Sequence, residues 1–177
     1  MSRPVDRGAI TAAYVGIGVA VTVGISFLLV IPIEPIYSIA GIPFGFLIAW
    51  YANARAGRGR GEWRWIVPNA LLASGATALT MAVLLLAVKA LFFAGDDGYR
   101  DPGLGGRIEC TPGAECVYRR YVARQGEELA AAGVRDVDGF TAYYWDQQRS
   151  ASLTLFGVTL AAGTVAALAY GVSRPRR

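Results

Sequence analysis

The chain has 177 residues, room for one domain, with 54% hydrophobic residues and a formal net charge of +4. It contains no histidine, which removes the commonest general base and the commonest transition-metal ligand. No HExxH, GxSxG or Walker pattern occurs either, so motif reading points away from an enzyme and calls for no cofactor.

The apolar residues fall in long blocks separated by charge-dense stretches, which is the pattern of a membrane protein. The first block runs from Ala9 to Ile31 without a charge, enough to cross a hydrocarbon core of about 30 Å. Pro32-Ile33-Glu34-Pro35 then breaks the helix, since two close prolines cannot continue it. The first block is too long for a secretory leader and no small-x-small cleavage site follows it, so it is read as a retained span. The second block, Ile36 to Ala52, is also uncharged, and the two form a helical hairpin.

Arg55, Arg58, Arg60 and Arg64 follow, interleaved with glycines. In a loop beside two spans, with Trp63 and Trp65 at its edge, they read as topology determinants that meet anionic lipid headgroups, not as a nucleic-acid segment. The third block starts near Trp65, with Pro68 suited to a first turn, and ends near Ala94 with a single charge, Lys89. Residues 95–150 are polar, with ten acidic and seven basic side chains. The fourth block, Ala151 to Val172, is charge-free and ends in Ser-Arg-Pro-Arg-Arg.

Nine arginines lie in the N-terminus, the 53–64 loop and the C-terminus, against only Asp6 and Glu62. The positive-inside rule makes that side cytoplasmic and places residues 95–150 outside. Arginine supplies all but one of the basic residues, a usage that fits a GC-rich bacterial genome and hence a bacterial plasma membrane. The expected fold is therefore all-α: a four-helix transmembrane bundle (spans 9–31, 36–52, 65–94 and 151–172) with a small disulfide-clipped, mostly helical extracytoplasmic domain between the third and fourth spans.

Small residues recur at spacing four: Gly16, Ala20 and Gly24; Gly41 and Gly45; Ala70, Ser74 and Ala78; Gly163, Ala167 and Gly171. They suit close helix approach in lipid, within the bundle or against a partner helix.

Cys110 and Cys116 are the only cysteines and enclose a Pro-Gly turn, so a disulfide in an oxidising exterior is the expected pairing. The stretch Val117 to Ala132 reads as a helix stopped by Gly133. A further helix is expected to start at the cap Asp138 and to run unbroken into the fourth span, about 51 Å from Gly139 to Val172. Phe140, Tyr143, Tyr144 and Trp145 then form either an interfacial belt or a partner contact. Glu34 and Lys89 are placed at one face of the membrane, where they form a structural ion pair or part of an ion path. The expected function is a non-catalytic accessory or scaffolding protein that binds a partner through its outer domain and helix faces. The competing class is an oligomeric channel or small-solute transporter, and a lipid-active enzyme ranks third. Expected partners are membrane lipid and either other membrane subunits or further copies of this chain, with no nucleic acid.

Overall fold

The computed structural model describes residues 5–30, 34–101 and 106–173, without the side chains of Val30, Glu34 and Asp101. Helix α1 spans Arg7–Gly24 and passes into a π-helical turn over Ile25–Val30. Helices α2 (Glu34–Arg55) and α3 (Trp63–Gly95) follow, then the strands β1 (Gly98–Asp101) and β2 (Gly106–Glu109). Helices α4 (Ala114–Ala131) and α5 (Val137–Ser173) complete the chain. The protein is mostly helical, and α1 with its π turn, α2, α3 and α5 are long and apolar enough to cross a membrane.

The helices exceed their sequence-derived bounds, because polar residues at apolar ends still complete helical turns. The third starts at Trp63, so Pro68 falls in its second turn instead of its first. Pro43 likewise lies inside α2, and each proline leaves one carbonyl without its i+4 donor. Pro32 and Ile33 lie outside the described residues.

The chain divides into two compact units, Met1–Leu85 with Ser152–Arg177, and Leu86–Ala151. The first is a helical bundle rich in buried small residues: Ala9, Ala12, Ala20, Ala49, Ala52, Ala70, Ala73, Ala78, Ala166 and Ala167 are all at most 1% exposed. They surround a few large buried side chains, Tyr37, Ile66, Met81, Leu85, Leu155 and Tyr170. All four small-residue stripes face inward. A side chain at Gly45 would strike the Thr159 carbonyl, and one at Gly163 would strike Ser74. These close approaches pack α2 and α3 onto α5. Larger aliphatics point outward instead, among them Leu79 at 58% and Leu153 at 70% exposure. Small residues inside and large ones outside suit helices packed in hydrocarbon, where exposing leucine carries no penalty.

The second unit has a different interior. Val117, Leu129, Phe140 and Tyr144 are buried together, flanked by Phe93, Tyr118, Tyr121, Val134, Tyr143 and Trp145. The antiparallel hairpin pairs Tyr99 with Ile108 and Gly98 with Glu109, and the Cys110 amide donates to the Asp97 carbonyl at 2.9 Å. Its strands have only four residues each, too few to show alternation in a glycine-rich stretch, and the sequence reading missed them. Gly133, at φ 76°, ends α4 as expected. Its amide and that of Val134 reach back to Ala130 and Leu129, and Val134 packs beside Leu129, which is a complete Schellman stop. The cap of α5 is Asp136, two residues before the expected Asp138: its carboxylate accepts from the Gly139 amide at 2.7 Å.

Candidate functional site

The densest polar cluster lies in the first unit, where the start of α1, the α2–α3 loop and the end of α5 meet. Asp6 precedes α1 in an extended conformation, yet its side chain does not cap that helix. The carboxylate accepts from Arg58 Nε at 2.8 Å and from a second Arg58 nitrogen at 2.5 Å. It also accepts from Asn69 Nδ2 at 2.7 Å, while the Asp6 amide donates to Asn69 Oδ1 at 3.0 Å. Fully buried Asn53 donates to the Ala49 and Ile66 carbonyls at 3.3 and 3.1 Å, joining α2 to α3.

Local structure aims Arg58 at this point. Gly57, at φ 68°, closes α2 with a Schellman pair, Gly57 to Ala54 and Arg58 to Asn53. Arg58 also donates to Glu62 at 2.9 Å, and its guanidinium lies 4.6 Å from the Trp65 ring centre. Tyr170 donates to the Arg58 carbonyl at 3.0 Å, and the Gly61 amide to the Gly171 carbonyl at 3.2 Å. All four helices of the bundle are thus tied at one end. The hydrogen bond from Arg58 holds the Asp6 carboxyl below its ordinary 3.8, against partial burial, with Asn69 and the Arg58 charge assisting. The same contact raises Arg58. Every group in this latch has a partner, so its chemistry is structural. It was not read from the sequence; the available signal was an acid and two asparagines at the ends of apolar blocks.

The hydroxyls along the bundle are also engaged. Thr11, Thr22, Ser26, Ser74, Thr77, Thr80, Thr159 and Thr164 each donate to the carbonyl four residues earlier, at 2.7–3.2 Å. Two other donors join helices: Tyr37 reaches the Met81 carbonyl and Ser152 the Ala82 carbonyl, both at 2.9 Å.

In the second unit, Cys110 and Cys116 stand at disulfide distance, their Cα atoms 5.5 Å apart. Of the four aromatic residues singled out, Phe140 and Tyr144 are core residues at 0% and 4% exposure. Tyr143 and Trp145 are half-buried. The Phe93 ring packs at a tilt against Tyr144 and Trp145, with ring centres 4.9 and 5.4 Å apart, and Tyr121 likewise against Phe140 at 5.1 Å. Their first role is therefore packing. Lys89 is half-buried in α3, and its carbonyl accepts from the Tyr144 hydroxyl at 3.4 Å. The Glu34 side chain is outside the described residues, and the Glu34–Lys89 pair with it.

A cleft of about 210 Å³ opens beside α4, lined by Arg120, Tyr121, Arg124 and Gln125. Gln125 departs from helical geometry at φ −138°, ψ 30°. Arg120 pairs with Asp96, and both are largely covered. Among the described residues, the Gln148 side-chain oxygen is buried without a partner. No group of three His, Cys, Asp or Glu side chains suited to a metal occurs among them. Comparison with protein-family models, with curated proteins and with solved structures gave no match.

Proposed function

We propose that the chain is a non-catalytic accessory or scaffolding protein of a bacterial plasma membrane. In this reading residues 1–94 and 151–177 form the membrane part with both termini cytoplasmic, and residues 95–150 form a disulfide-clipped domain outside. The observation that carries it is the engagement of the bundle's polar groups. Eight of its hydroxyls serve their own helix, and the glycines of the small-residue faces are covered by neighbouring helices. A conduit needs polar groups turned toward a path; a scaffold needs a rigid bundle holding a domain in place. With the small-residue faces used inside the bundle, the outer domain is the better candidate for the partner surface.

The test is reconstitution of the purified chain in liposomes, with the same mild-detergent extract sized for a stoichiometric partner. Ion and solute flux at the level of empty vesicles, with a partner at fixed ratio, is the expected result. Flux that falls in Glu34→Gln or Lys89→Met would replace the scaffold with the transport reading.

A further inference from the structure

Arg120 and Arg124 are one turn apart on α4, so they project from the same helix face. Like charges at that spacing repel, and such pairs are normally answered by acids one turn away. Arg120 has an answer in Asp96. Arg124 has Glu128 at the matching position in sequence, but the non-helical Gln125 lies between them and interrupts the register. No ion pair joins Arg124 to an acid among the described residues, although its side chain borders the cleft. Burial is the main opponent of the charge on Arg120; Tyr121 and Tyr144 favour that charge, and neighbouring Arg124 opposes it. Two arginines thus line one concave site in which no carboxylate takes part, and of the two only Arg120 has an acid partner among the described residues.

We propose that this cleft binds a phosphate group. A phosphate presents oxygens on several sides and can accept a fork of hydrogen bonds from each arginine, whereas the two oxygens of a carboxylate are occupied by one fork. The volume of about 210 Å³ holds a phosphate and a few waters, each water taking about 30 Å³. Tyr121 and Gln125 add a hydroxyl and an amide at the rim. The phosphate is carried either by a soluble solute or by a lipid headgroup, and the chemistry of recognition is the same. This inference depends on neither the orientation nor the scaffold reading.

The full chain in nanodiscs of zwitterionic lipid is titrated with inorganic phosphate, following the heat of binding. Saturable binding is expected, weakened about ten-fold or more in Arg124→Gln, as loss of a charged hydrogen-bonding partner implies. Arg119→Gln should bind as the wild type, because Arg119 is paired with Glu115 and does not line this cleft. Absence of saturable binding, or equal affinity in Arg124→Gln, would overturn the site. Adding an anionic phospholipid to the nanodiscs identifies the source: a lipid headgroup in the site weakens the phosphate titration, and a soluble ligand leaves it unchanged.

Discussion

The two units of this chain have different interiors. The bundle buries mainly alanine, glycine, serine, threonine and asparagine around a few large side chains such as Tyr37, Ile66, Leu85 and Tyr170, and turns many leucines and isoleucines outward. The second unit buries valine, leucine, phenylalanine and tyrosine and turns paired charges outward, Arg107 with Asp97 and Arg119 with Glu115. The second pattern is what water selects, since burying large apolar surface drives folding there. In hydrocarbon that drive disappears, and close backbone approach with internal hydrogen bonding takes its place. The bundle's small-residue faces suit the second of these settings, and the contrast between the units can be tested.

The largest effect is expected at the centre of the second unit. Phe140→Ala empties a fully buried site and should destabilise that unit by about 3–5 kcal/mol, read from the thermal transition of Trp145 fluorescence in a full chain whose Trp50, Trp63 and Trp65 are replaced by Phe. A loss below about 1 kcal/mol, the range of an ordinary surface change, would mean that this cluster is not the core. Next comes Leu79→Arg, at an exposed position in the bundle. If that face meets lipid, insertion should become less favourable by about 2.5–3.5 kcal/mol, measured as the membrane-integrated fraction. Unchanged integration would break the comparison, because a water-facing position accepts arginine freely.

The smallest effect is expected at the latch. Asp6→Asn removes the charge that answers Arg58 and should lower bundle stability by about 1–2 kcal/mol at pH 7, the range for charged hydrogen bonds after allowance for partial exposure. Because the Asp6 carboxyl sits below its ordinary 3.8, its contribution is complete above that value and is lost as pH falls through the lower folded value. The difference in melting temperature between wild type and Asp6→Asn should therefore be full at pH 7 and shrink in strong acid. A constant difference would assign the effect to something other than this carboxylate.

These features were unequally legible in the sequence. The four long apolar helices and the stop of α4 were plain because their causes are local, charge-free runs and Gly133, whereas Pro68 misled, since α3 already starts at Trp63. The inward faces followed from small residues at spacing four, and Gly45 against Thr159 shows the contact that spacing permits. The latch was hidden because Asp6 and Asn69 are 63 positions apart, and no local pattern announces a pairing at that distance. The arginine loop was read as charge alone, whereas Arg58 is set apart from its neighbours by the turn at Gly57. The aromatic residues Phe140, Tyr143, Tyr144 and Trp145 were read as an interfacial belt or a partner contact. Helical spacing instead sends Phe140 and Tyr144 to one side, where Val117 and Leu129 from α4 cover them.

The latch also has a consequence for the order of assembly. Asp6, Asn53, Arg58 and Asn69 belong to the stretch from the start of α1 into α3, whereas Tyr170 and Gly171 hold the loop through Arg58 and Gly61 from α5. Because synthesis runs from the N-terminal side, three helices can gather around Asp6 before the fourth is made. The clasp closes only when that helix arrives, so the geometry of one arginine's carbonyl makes the bundle wait for its fourth member.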